Sequence, residues 1–107
     1  MTVMETNIID AMGLMPKTNE LSLMISDHLD WELEPEHLLF LQEKINTYIG
    51  FIQEKQYVEF YPGREFDSYV IEIFFMYEIS DTCIDFLDYV ADQIRFLHIR
   101  ITTETAR

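Results

Sequence analysis

The sequence predicts an α+β fold whose strands and helices follow one another in the order β-β-α-β-α-β. Short apolar stretches with the two-residue period of strands flank two longer segments whose apolar residues recur every three or four positions. Turn-forming residues separate these segments. The strand-helix-strand connections favour parallel neighbours in the sheet. We therefore expect one domain over residues 1–107, a two-layer sandwich of a four-stranded mixed sheet with two helices on one face.

The first two strands form a predicted hairpin. The apolar stretches Asn7–Leu14 and Glu20–Ser26 are separated by a segment that contains the turn formers Pro16 and Asn19. The second stretch alternates apolar residues with less apolar ones, which is typical of a strand with one buried face. Its inward residues are Leu21, Leu23 and Ile25.

The first helix is predicted over Pro35–Gln56, with Pro35 at the favoured first position. Glu34 and Glu36 lie where the positive end of the helix dipole stabilises negative charge. One apolar stripe runs along the helix at spacings of three and four residues. It consists of Leu38, Leu41, Ile45, Tyr48, Ile49 and Ile52.

The second half of the chain contains the clearest strand, Tyr69–Glu78. Both of its faces are mostly apolar and rich in β-branched and aromatic residues, so we expect it to be central in the sheet. A second helix follows over Asp81–Leu97, capped by Ser80 or Asp81. The last strand is predicted over His98–Thr105.

Acidity dominates the composition. Twenty Asp and Glu against seven Lys and Arg leave a net charge of −13, beyond the magnitude of about 2 to 8 that keeps a small domain soluble. Phosphate contacts need a basic face, so the charge argues against nucleic acid as a partner. We expect a basic protein surface instead.

The composition also indicates a compartment. Cys83 is the single cysteine, so no disulfide framework exists, and no run of about 18 uncharged apolar residues could span a membrane. Residues 1–10 carry no Lys or Arg, unlike a secretory signal. These observations predict a cytoplasmic protein with no membrane contact. We expect Cys83 to be an inert core thiol on the apolar stripe of the second helix.

A ladder of aspartates lies on the second helix. Spacings of four, three and four residues place them in one stripe, where they repel one another. The members are Asp81, Asp85, Asp88 and Asp92. The stripe is either an ordinary solvated helix face or a docking surface for Lys and Arg.

The junction between the second strand and the first helix is also strongly acidic. Asp30, Glu32 and Glu34 are our further candidates for binding a basic partner. An alternative is a divalent-metal site, because imidazole and carboxylate together suit zinc. Its ligands would be Asp27, His28, Asp30 and His37. The spacing matches no metallohydrolase signature, and the plainer interpretation is that Asp27 or Asp30 accepts local backbone N–H groups while Trp31 covers the end of the core.

No motif predicts catalysis. The three glycines are isolated, so no Gly-rich phosphate loop exists, and no serine lies in a nucleophile-elbow pattern. We therefore predict no catalytic residues and no cofactor. A cluster of aromatic residues surrounds Pro62, and it either caps the open end of the sheet or forms the rim of an interface. Its members are Tyr57, Phe60, Tyr61, Phe66 and Tyr69.

Several segments carry a family resemblance. They are Asp27–Trp31 (DHLDW), Glu36–Leu39 (EHLL), Leu41–Tyr48 (LQEKINTY) and Tyr61-Pro62. Together they resemble an uncharacterised family of short bacterial proteins that has a domain-of-unknown-function designation. The resemblance extends over nearly the whole chain. It implies a bacterial cytosolic origin and supplies no catalytic residues.

Three hypotheses of function follow. The leading one is a small non-enzymatic interaction protein, an immunity or antitoxin-like inhibitor or an adaptor, whose acidic surface is steered to a basic partner. The second is the metal-binding protein or metal-dependent enzyme described above. The third is a structural or regulatory homodimer formed through the open face of the sheet, where Val70, Phe74 and Met76 need cover.

Overall fold

The computed structural model describes residues 3–15 and 17–106. The strands are β1 (Ala11–Met15), β2 (Glu20–Asp27), β3 (Ser68–Phe75) and β4 (Ile99–Thr105), and the helices are α1 (Glu34–Gln53) and α2 (Asp81–Ile94). A short 3₁₀ helix follows each α-helix, over Gln56–Glu59 and Arg95–Leu97. The predicted order β-β-α-β-α-β is confirmed.

The four strands form one mixed sheet in the order β1-β2-β3-β4. β1 pairs antiparallel with β2, as in the predicted hairpin, whereas β2, β3 and β4 are parallel. β3 therefore lies inside the sheet, which confirms its predicted central position.

Both helices cover the same face of the sheet. The inward residues of β2, β3 and β4 form one core cluster with buried residues of α1 and α2. Members of this cluster from the sheet include Leu21, Leu23, Ile25, Ile71, Ile73 and Ile99, and members from the helices include Leu41, Ile45, Cys83 and Leu87. The predicted α+β sandwich follows from this packing.

The ends of all six predicted elements differ from the structure by one to four residues. β3 ends at Phe75 instead of Glu78, and α2 ends at Ile94, because Arg95–Leu97 form a 3₁₀ helix. β1 begins at Ala11, and residues 3–10 form an irregular arm instead of the start of a strand. α1 ends at Gln53 because Lys55 adopts a left-handed φ of 55°, which ends a right-handed helix. His98, at a φ of 62°, likewise ends the turn after α2, so that β4 begins one residue later than predicted.

The N-terminal arm is held against α1 by a lysine that lies wholly inside the protein. The side chain of Lys44 is 0% exposed. Its Nζ donates hydrogen bonds to the carbonyl oxygens of Glu5 and Ile8, at 2.7 and 2.6 Å, and to Oδ1 of Asp10 at 2.7 Å. All three N–H donors of the ammonium group are therefore satisfied.

Asp10 connects the arm to β2 and to α1. Its Oδ2 accepts the backbone N–H of Ser26 at 3.0 Å, and its own N–H donates to the hydroxyl of Tyr48 at 2.8 Å. The Tyr48 hydroxyl donates to the carbonyl oxygen of Met24. Burial raises the pKa of Tyr48, so the hydroxyl keeps its proton for this bond.

The open face of the sheet is covered largely by its own polar side chains. Arg100 donates to both carboxylate oxygens of Glu20, at 3.1 and 2.8 Å, and Ser68 donates to Glu20 as well. Val70, which lies opposite Arg100 in the register, is 1% exposed. The expectation that Val70 needs a cover from a second subunit was therefore wrong. Phe74 and Met76 remain exposed, and the homodimer stays a prediction.

The aromatic cluster around Pro62 is divided between core and surface. Tyr57 is buried and packs edge-on against Phe66, and its hydroxyl is 2.8 Å from that of Tyr69. Phe60 is exposed. Most of the cluster thus closes one end of the sheet.

We predict that Lys44→Met lowers the free energy of unfolding by about 3–5 kcal/mol, because it leaves the buried carboxylate of Asp10 without its cation. Chemical denaturation measures this change. Lys17→Met is the matched control, since Lys17 is exposed in a turn, and its effect should stay within about 0.5 kcal/mol. A loss below about 1 kcal/mol for Lys44→Met would contradict the role of this pair in holding the arm.

Candidate functional site

The candidate site lies at the edge of the sheet where β2 and β3 end. Asp27 ends β2, Phe75 ends β3, and the two residues are register partners in parallel strands. Because parallel strands end at the same edge, the loops that lead into α1 and α2 also meet there. In open α/β sheets this edge is the usual position of binding sites.

The edge brings together acidic residues that are far apart in the sequence. Asp30 and Glu32 are exposed, and Glu34 is half-buried in the first turn of α1. Burial raises the pKa of Cys83, which lies in the first turn of α2, and the negative charges of Asp27 and Glu34 contribute to the same shift. The two acidic helix starts lie at the same edge of the sheet.

The four aspartates of α2 are all exposed, as a solvated stripe requires. The members Asp81, Asp85, Asp88 and Asp92 extend along the helix from its first turn. Arg95 forms an ion pair with Asp92 at 3.0 Å, at the far end of the stripe. Both side chains of this pair are largely exposed, so it contributes little to stability.

Two aromatic side chains share the stripe. Tyr89 follows Asp85 by four residues, so it lies on the same side of α2 as the aspartates. Phe96 lies in the 3₁₀ helix Arg95–Leu97, just beyond the end of α2. Tyr89 is 67% exposed and Phe96 is 76% exposed. Aromatic residues are enriched in protein interfaces, and Tyr is frequent among the residues that contribute most to binding. We call the four aspartates with Tyr89 and Phe96 the α2 stripe.

The start of α2 shows why Cys83 is inert. Ser80, one of the two predicted caps, accepts the backbone N–H of Cys83 at 3.2 Å. The thiol of Cys83 is fully buried, and burial raises its pKa to about 12. A thiol with this pKa is not a nucleophile at neutral pH, which agrees with the predicted core role.

A buried pair of Asp27 and His37 lies directly beneath the acidic edge. His37 Nε2 is 2.5 Å from Oδ2 of Asp27, and both side chains are buried. His37 Nδ1 lies 2.9 Å from the carbonyl oxygen of Asp30, an acceptor, so Nδ1 carries a proton. Burial raises the pKa of Asp27 above its ordinary value. The two contacts hold the His37 ring between the end of β2 and the loop before α1.

Trp31 and two turn hydrogen bonds complete this junction. The indole of Trp31 stacks on the His37 ring with 3.7 Å between the ring centroids. Its Nε1 is buried and has no hydrogen-bond partner in the part of the chain that the structure describes. Asp27 accepts the N–H of Leu29, and Asp30 accepts the N–H of Glu32, each at 3.1 Å. The predicted roles of Asp27 and Asp30 as acceptors of local backbone donors are confirmed.

The predicted metal ligands are only partly brought together. Asp27 and His37 are in contact, whereas the Asp30 side chain is occupied by the turn and His28 is exposed. Over residues 3–15 and 17–106, no group of three or more His, Cys, Asp or Glu could hold a metal ion. The metal site stays a prediction, and residues 3–15 and 17–106 contain no preformed cluster of ligands for it.

The family can be assigned from the whole chain. One family model matches residues 1–107. The chain belongs to DUF6572, a family of unknown function. No curated protein and no solved structure matches it. None of the helices in the described part of this DUF6572 chain combines the length and the apolar composition needed to cross a bilayer.

Sequence reasoning missed two members of the candidate site, Tyr89 and Phe96. The sequence contained an indication of both, because each follows an aspartate of the ladder by four residues. An aromatic residue in an amphipathic helix is more often buried than exposed. Only the structure shows that these two rings are exposed.

We predict a specific pH dependence for the Asp27 pair. Since the pKa of Asp27 in the folded protein is above its ordinary value of 3.8, its contribution to stability is full below that value and declines as the pH rises through the folded pKa. Asp27→Asn cannot ionise. The free energy of unfolding of the wild type minus that of Asp27→Asn should therefore decrease as the pH rises from about 4. Denaturation at a series of pH values measures it, and a difference that increases with pH would show an ion pair instead.

Proposed function

We propose that this protein is a small acidic interaction protein that binds a basic surface of a partner protein, as an immunity or antitoxin-like inhibitor or an adaptor would. The binding surface consists of the α2 stripe and the adjoining start of α1. Its acidic residues are Asp30, Glu32, Glu34, Asp81, Asp85, Asp88 and Asp92.

The observation that carries the proposal is the α2 stripe itself. Tyr89 is an exposed ring beside the aspartates and Phe96 is an exposed ring just beyond the last of them; exposed apolar rings and repelling carboxylates both cost stability in an isolated protein. A partner that supplies Lys or Arg would relieve the repulsion, and it would bury the two rings. Aromatic residues are enriched in the cores of protein interfaces, and the surrounding rim is polar.

The positions of the cations also support the proposal. Lys44 is used inside the protein, and Arg100 is paired with Glu20 on the opposite face of the sheet. Arg95 is the cation that the structure pairs with the α2 stripe, at its end. The negative potential over the rest of the stripe is therefore weakly compensated, which favours fast association with a basic partner at low salt.

We predict opposite effects on stability and binding when the four aspartates of α2 are changed to Asn. Removal of like charges at helical spacing should raise the free energy of unfolding by a few tenths of a kcal/mol per pair. Affinity for the partner should fall by about tenfold or more at low salt, with most of the loss in the association rate. Thermal melts and stopped-flow association with the partner captured at low salt measure the two effects.

The matched control changes four exposed glutamates outside the stripe to Gln, which removes the same amount of charge. They are Glu43, Glu54, Glu59 and Glu65. This control should lower the affinity by no more than about two- to threefold. It changes only the electrostatic potential at a distance from the α2 stripe, which salt screens. Equal losses in both variants would show that net charge, and not the α2 stripe, is responsible. No loss in either variant would refute the proposed surface.

A further inference from the structure

A groove lies between α1 and α2 on the outer side of the helical layer, directly beside the α2 stripe. Its volume is about 420 Å³, within the range of about 300–1,000 Å³ of ordinary ligand clefts. The apolar lining consists of Ile45, Ile49, Phe86, Val90 and Ile94. Neutral amides of Gln42, Asn46 and Gln93 form part of the rim.

Tyr89 belongs both to this groove and to the α2 stripe. It lines the groove, while Asp85 and Asp92 lie four residues before it and three after it on the same helix. A ligand in the groove is therefore within one helical turn of the aspartates. An apolar groove with negative charge along one side is complementary to a ligand that has an apolar face bordered by positive charge.

The spacing of the charges favours a helical ligand. Asp85, Asp88 and Asp92 recur at the pitch of an α-helix, about 5.4 Å per turn. A second helix alongside would present Lys or Arg at the same interval and would stay in register along the groove. An extended strand repeats side chains on one face at about 6.6 Å, so its charges match the aspartates less closely with each repeat.

We propose that the groove between α1 and α2 binds a cationic amphipathic helix of the partner protein. Apolar side chains of that helix enter the groove, and its Lys or Arg side chains pair with the aspartates of the α2 stripe. This inference rests on the proposed function, because it identifies the kind of partner element that the acidic surface receives.

The test uses two synthetic peptides of 18 residues and identical Leu and Lys content. In the first, Leu recurs at positions i, i+3, i+4 and i+7, so that a helix has one apolar face. In the second, the same residues are rearranged so that no apolar face forms. Calorimetry or fluorescence anisotropy with the whole protein at low salt should give at least about tenfold tighter binding of the first peptide.

Substitutions locate the binding site. Asn46→Arg places bulk and positive charge in the groove from an exposed position of α1, and it should abolish the preference for the amphipathic peptide. Gln56→Arg adds the same charge at an exposed residue that does not line the groove, and it should leave the preference unchanged. Tyr89→Ala removes the side chain that groove and stripe share, and it should reduce the preference. Melting temperatures verify that each variant is folded.

The outcomes separate this inference from the proposed function. If both peptides bind equally and both are weakened by Asn at the four aspartates, the acidic surface binds cations, and the groove proposal is wrong. A preference that persists in Asn46→Arg would also overturn it. If neither peptide binds, the groove proposal and the cation-binding role of the stripe both fail.

Discussion

The parallel pairing of β2 with β3 determines where the acidic residues of this protein lie. In that register Asp27 and Phe75 are partners, so the two strands end at one edge and both helices start there. Helix starts tolerate negative charge, and this fold places two of them side by side. Glu34 and Asp81, more than forty positions apart in the sequence, thereby lie at the starts of two helices at the same edge. Antiparallel pairing would have separated them by the length of the sheet.

Buried polar groups hold this arrangement together from the inside. Lys44 and Asp10 attach the N-terminal arm to α1 and β2, and the Asp27–His37 contact attaches the end of β2 to the first turns of α1. Such groups are costly to bury unless every donor and acceptor is satisfied. The use of Lys44 in the interior also removes a cation from a surface that is already strongly negative. Burial of Lys44 therefore both holds the N-terminal arm and leaves the surface more negative.

Local sequence patterns were sufficient to predict the strands and helices, but they did not predict which polar residues are buried. The alternation of Leu21, Leu23 and Ile25 and the apolar period of α1 depend on near neighbours, and both predictions were correct. Lys44 interrupts the apolar stripe of α1, and its burial depends on carbonyl groups of the distant arm, which no local pattern reveals. His37 finds its partner ten residues earlier, across the junction. The acidic candidates were identifiable from composition, whereas the position of the two helix starts at one edge required the strand register.

The most direct test of the account is nuclear magnetic resonance mapping of the residues that respond to the amphipathic Leu/Lys peptide. Backbone amide shifts should change along α2 and on the side of α1 that lines the groove, with the largest changes near Tyr89. The amide shifts of strand residues whose side chains lie on the open face of the sheet, such as Ser22 and Thr102, should stay unchanged. Changes confined to that open face, or spread evenly over the exposed glutamates, would contradict the claim that the fold concentrates binding on the α2 side.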